Sequence, residues 1–124
     1  MSLSLLKVYD EFGRTPLHFA CDGGHVDLAQ LFIEHGANIS ARDVRRRSPL
    51  HWVSLWGHID LVRLLIEHGA DLAAQDEDGS TPLHWACEGG YVDVAQLLID
   101  HGADVAAQDR RGNRKVGKSD ATQR

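Results

Sequence analysis

Eight histidines and two cysteines in 124 residues are enough to raise metal or acid–base chemistry, because a neutral imidazole ligates metals and titrates close to neutral pH. Their positions point elsewhere. His18, His51 and His84 each follow Thr/Ser-Pro-Leu; His25 and His58 follow a glycine, at a place that Tyr91 takes later; His35, His68 and His101 each precede a glycine. Each imidazole therefore meets the same neighbours repeatedly, and a catalytic residue is seldom needed in triplicate. Cys21 and Cys87 also fall at equivalent places, where a small thiol packs like alanine. No His-Glu-x-x-His, Cys-x-x-Cys, phosphate loop or Gly-x-Ser-x-Gly occurs. The expectation is no catalytic residue, no metal, no cofactor and no small-molecule substrate, with the histidines serving structure.

The elements that position these residues follow from a period of 33, at which the sequence superimposes on itself. Asp10, Asp43, Asp76 and Asp109 mark four starts, and Glu34-His35-Gly36-Ala37 returns as Glu67-His68-Gly69-Ala70 and Asp100-His101-Gly102-Ala103. In each unit Thr15, Ser48 or Thr81 precedes a proline, the signature of a helix start: the hydroxyl caps free amides and proline at the first position gives up only an unused donor. This first helix spans about two turns before Gly24, Gly57 or Gly90 interrupts it. A second apolar stretch, Val26, Leu28, Ala29, Leu31, Phe32 and Ile33 in the first unit, has helical spacing, and Gly36, Gly69 and Gly102 supply its left-handed stop. Between units, Asp10 to Gly13 and Asp76 to Gly79 form turns that project as hairpin-like fingers. With units roughly 10 Å apart, Cys21 and Cys87 lie too far apart for a bridge and are free thiols.

Asp-x-x-Gly-x-Thr-Pro-Leu-His, then Gly-His, a leucine-rich helix and Gly-Ala, resembles the ankyrin repeat throughout Asp10 to Gln108. The resemblance implies an all-α repeat solenoid of stacked helix pairs, with β-hairpin-like fingers at right angles and a concave surface that binds other proteins. The organisation is a lead-in (1–9), three repeats (10–42, 43–75, 76–108) and an aborted fourth finger with a basic, disordered tail (109–124). The asparagine that some members hydroxylate is replaced by Ser40, Ala73 and Ala106, so that modification is not implied. The His18 series is expected to hydrogen-bond the finger of its own or a neighbouring unit.

Recognition should lie where the copies disagree, and the middle one disagrees most. Its finger reads Asp43-Val44-Arg45-Arg46-Arg47, with Arg46 in place of the turn glycine, and its first helix carries Leu55 and Trp56 where the other copies have Asp22-Gly23 and Glu88-Gly89. Trp52 and Trp56, four apart, are expected to present one continuous aromatic surface; Trp52 aligns with Phe19 and Trp85 and reads as interior packing, Trp56 as a partner anchor. Exposed tryptophan beside arginine is the composition of an interaction hot spot. Partner-binding positions are therefore Phe12, Arg14, Arg45, Arg46, Arg47, Leu55 and Trp56. A plainer reading of the finger charges also stands: Glu11, Arg45 to Arg47, Glu77 and Asp78, then Arg110 and Arg111 alternate in sign and neutralise one another in exposed pairs.

Charge narrows the partner. Residues 1–108 hold seven basic and sixteen acidic side chains, which argues against phosphate-backbone binding as the main task. No apolar run has membrane-helix length and no signal peptide opens the chain, so a cytoplasmic setting is expected. The ends, with apolar Leu3, Leu5, Leu6 and Val8 and an abandoned fourth unit, are poorly capped. They suggest modest stability and either a longer array or self-association. The leading function is a non-catalytic protein-interaction scaffold; the alternative is an architectural spacer without a specific ligand.

Overall fold

A computed structural model describes residues 9–107. The lead-in other than Tyr9, and the fourth finger with its tail, lie outside the described residues. Six helices follow in order: α1 (Pro16–Asp22), α2 (Val26–Glu34), α3 (Pro49–Trp56), α4 (Ile59–Glu67), α5 (Pro82–Gly89) and α6 (Val92–Asp100). Among the described residues there is no strand. The odd-numbered helices stack on one another as one layer, and the even-numbered helices form a second layer beside them.

The first helices start as proline chemistry requires. Thr15, Ser48 and Thr81 are extended N-caps with proline next in line, and each hydroxyl accepts from the backbone N–H three residues on. The reciprocal half of this capping box, ordinarily a glutamate or glutamine, is supplied by His18, His51 and His84, whose Nδ1 accepts the cap residue's own N–H at 3.0, 3.1 and 2.9 Å. Second helices have no side-chain cap; Asp27, Asp60 and Asp93 place a carboxylate in the first turn, where it meets the positive end of the helix dipole. They stop at Gly36, Gly69 and Gly102, with φ of 93°, 88° and 105°.

Leucines recurring at the period form the core. Leu17, Leu50 and Leu83 are buried in the first-helix layer with Ala20, Val53 and Ala86, while Leu61, Val62, Leu65, Val94 and Leu98 fill the space toward the second layer. Each full burial of a leucine contributes about 1.5–3 kcal/mol. Leu28 and Leu31 are 41% and 38% exposed where Leu61 and Leu64, at the same places in the middle unit, are 0% and 7% exposed. The difference is the cover that a preceding helix pair gives. The core holds two unpartnered polar atoms among the described residues, Ser54 Oγ and Trp52 Nε1.

Candidate binding face

Each finger is organised by its aspartate. Asp10, Asp43 and Asp76 accept two backbone N–H groups on Oδ1, from Phe12 and Arg14, Arg45 and Arg47, and Asp78 and Ser80, at 2.8–3.0 Å. A turn bond to the same aspartate's carbonyl closes the loop, from Gly13, Arg46 and Gly79. That turn needs a left-handed residue at its fourth place, counted from the aspartate. Gly13 and Gly79 have φ of 75° and 78°, and Arg46 adopts 67° in the same place, a conformation that costs a side-chain-bearing residue roughly 1–2 kcal/mol. Losing the glycine thus leaves the finger's shape unchanged and loads it with strain. Neighbouring fingers touch through one main-chain bond each, Val44 N to Phe12 O and Glu77 N to Arg45 O, both 2.9 Å.

The three arginines have three different surroundings. Arg47 gives its Nε to the buried Asp43 Oδ2 at 2.9 Å, and its guanidinium lies 4.4 Å above the centre of the Trp52 ring. Arg45 faces Glu77 of the next finger at 4.0 Å with both groups exposed, a pair worth about 0–1 kcal/mol. Arg46 is exposed and no ion pair of its side chain is formed among the described residues. Charge alternation therefore operates at the Arg45–Glu77 joint. In the first finger, Arg14 repeats the Arg47 arrangement: its Nε donates to Asp10 Oδ2 at 3.0 Å, and its guanidinium lies 5.0 Å from the Phe12 ring centre and 4.8 Å from that of Phe19.

The two tryptophans of α3 are directed at different neighbours, which corrects the single aromatic surface expected from their spacing. Trp52 is half-buried beneath Arg47, whereas Trp56 is 47% exposed and donates its indole N–H to Asp22 Oδ1 of the first unit at 2.6 Å. Leu55 beside it is partly covered. Trp56 stands where the other copies have glycine: at Gly89 a Cβ would lie 2.5 Å from the Tyr91 ring. In the middle unit the equivalent ring, His58, lies against Gly24 as Tyr91 lies against Gly57, and donates Nε2–H to Asp22 O at 3.4 Å. Phe12, Phe19 and Val44 are also exposed hydrophobics of the fingers and first helices. Sequence reasoning passed over Phe19 and Val44, because Phe19 shares its place with Trp52 and Val44 lies inside a charged finger.

Every imidazole type has a structural partner. Beyond the cap, His18 Nε2 donates to Arg47 O at 3.0 Å and His51 Nε2 to Ser80 O at 2.8 Å, so each ring ties its own helix start to the next unit's finger. Nδ1 accepts and Nε2 donates, which is the neutral tautomer. Burial holds both rings below the ordinary imidazole value, against the opposing pull of the carbonyls they bond. His35, His68 and His101 donate Nδ1–H back to Leu31, Leu64 and Leu97 carbonyls at 2.9 Å. The Cys21 thiol is pushed up to about 12 by burial first and by Asp22 second, so it is protonated at neutral pH and a poor nucleophile. Among the described residues, no group of three or more His, Cys, Asp and Glu side chains is placed to hold a metal ion.

Helix pairs joined through repeated caps, with variable residues left on the fingers and first helices, define a solenoid scaffold. The family description "Ankyrin repeats (3 copies)" matches residues 3–76 and 42–109. The chain belongs to the ankyrin-repeat family, whose repeats are in general protein–protein interaction modules and non-enzymatic scaffolds. No curated protein matches the chain. Among the described residues, no helix is long and apolar enough to cross a membrane.

Proposed function

We propose that this chain is a non-catalytic scaffold that binds a protein ligand on its finger and first-helix face, the concave face in the family's architecture, in the cytoplasm. The organisation that goes with this reading is three repeats, 10–42, 43–75 and 76–108. The observation that carries it is Trp56: a half-exposed indole at the end of a first helix, at a place where the flanking units have glycine. Desolvating such an anchor is typically worth about 2 kcal/mol or more. Phe12, Arg45, Arg46 and Leu55 are assigned to the same face. Arg14 and Arg47 contribute by holding the finger and the ring beneath it in place, since each guanidinium is engaged within its own unit.

The test is binding of a protein ligand, selected on the folded chain, to Trp56→Ala and to the double change Arg45→Ser with Arg46→Ser. Both are expected to weaken the complex at least about tenfold, with the arginine change also flattening its salt dependence. Asp22→Ala, which removes the acceptor and leaves the indole in place, separates loss of the anchor from loss of the Trp56–Asp22 bond. Unchanged affinity in both variants would favour the architectural spacer, in which middle-unit departures carry no recognition.

A further inference from the structure

In the first two units an arginine four residues after the finger aspartate does two jobs at once. Arg14 and Arg47 give Nε to the aspartate's Oδ2 at 3.0 and 2.9 Å, and lay the guanidinium over the aromatic ring of the first helix, Phe19 at 4.8 Å and Trp52 at 4.4 Å. The third unit keeps the aspartate, Asp76, and the ring, Trp85, and lacks the cation: Ser80 stands in the arginine's place. Asp76 Oδ1 accepts the same two backbone N–H groups as its counterparts, and Oδ2 accepts the Trp85 indole N–H at 3.0 Å. The indole is thereby held by its edge, with His51 against it in an edge-on contact at 6.3 Å, and among the described residues no cation lies over its face. Residues 76–107 carry seven acidic side chains and neither lysine nor arginine, and Asp78 at the fingertip is exposed.

We infer that the third unit binds an arginine side chain of the protein partner, stacked on the half-buried Trp85 and paired with the Asp76–Asp78 finger, in the place that Arg47 and Arg14 fill from within their own units. The inference rests on the finger and first-helix face being the ligand surface. An indole face attracts a guanidinium more strongly than a phenyl face does, and planar stacking with paired N–H donors favours arginine over lysine. The surrounding negative field speeds encounter and selects against acidic segments. Recognition by this chain then has two poles: an aromatic and cationic middle unit, and an acidic third unit that takes a positive side chain.

The experiment titrates the full chain with an acetylated, amidated Gly-Ser peptide carrying arginines, and with the same peptide in which citrulline replaces arginine. The readout is the indole N–H resonance of Trp85, assigned from Trp85→Phe. The expected result is a saturable shift with the arginine peptide, at least about tenfold weaker with citrulline and intermediate with lysine. Ser80→Arg, which rebuilds the internal arrangement of the first two units, is expected to abolish the shift while leaving the fold intact. An unmoved Trp85 resonance, an equal response to citrulline, or an undiminished response in Ser80→Arg overturns the inference. So does binding that emerges only when Arg114 and Lys115 are changed to serine, because the occupant is then the chain's own tail. None of these outcomes bears on Trp56→Ala, so the general binding role stands or falls separately.

Discussion

The second and third fingers are built on the same aspartate and end in the same backbone turn, yet they dispose of that carboxylate differently. Asp43 is paired with Arg47, and Trp52 below is left with a buried indole N–H that has no partner. Asp76 receives the indole of Trp85 directly, because Ser80 does not compete for it. One acceptor oxygen serves either an arginine or a tryptophan, and the side chain at the fifth place of the finger decides which. The second finger gains a cation over its ring and bears two liabilities, the unpaired indole and the strained Arg46; the third avoids both.

The joint between these fingers is where the largest effect is expected. His51→Ala removes the bond to Ser80 O, orphans the Ser48 N–H and opens a cavity in the first-helix layer, for a loss of about 3 kcal/mol in urea unfolding. A loss below about 1 kcal/mol would mean that the helices alone hold the two units together.

Acidification attacks the same joint without a mutation. His18 and His51 are depressed below 6.5 in the fold, so the unfolded chain binds protons first as pH falls. Their contribution to stability is complete above the ordinary imidazole value and is lost progressively below it, as pH drops toward the depressed folded values. Thermal melting followed from about pH 8 to about pH 5, which spans that window, should show a decline that begins near 6.5. His51→Gln should shrink the decline. A melting temperature that is level down to pH 5 contradicts the role given to these rings.

Converting the second finger to the third sharpens the comparison further. Arg47→Ser frees Asp43 Oδ2 for Trp52, so its cost should be moderate. In the Arg47→Ser background, where no guanidinium stacks on the ring, Trp52→Phe removes the substitute donor and should cost about 1 kcal/mol. A neutral Trp52→Phe in that background would show that Trp52 does not take the vacated carboxylate. Smallest, and opposite in sign, is Arg46→Gly, expected to stabilise by about 1 kcal/mol by relieving the left-handed strain. A neutral or destabilising result would mean that the Arg46 side chain makes contacts that offset its backbone.

The helix pairs were legible because their signals are local: Thr-Pro and Ser-Pro at a start, glycine at a stop, apolar spacing between. The period of 33 then multiplied each signal. The binding face was legible only in outline. That Trp56 reaches Asp22, 34 residues away, depends on the offset between stacked helices, and no pattern within one unit encodes that offset. Arg45, Arg46 and Arg47 read as one cluster, yet the turn sends them to a neighbouring finger, to solvent and inward. Likewise the capping role of His18, His51 and His84 was hidden by residue type, since glutamate or glutamine is the usual partner at that place.

The link from each ring to the following unit ends on a main-chain oxygen, that of Arg47 in one case and Ser80 in the other. A carbonyl is present whatever the residue, so the side chain at the receiving place can change from cation to hydroxyl with no loss of the connection. Duplicating or deleting a whole unit regenerates the same junction, and the exposed finger beside it can diversify toward new ligands while the array keeps its spacing.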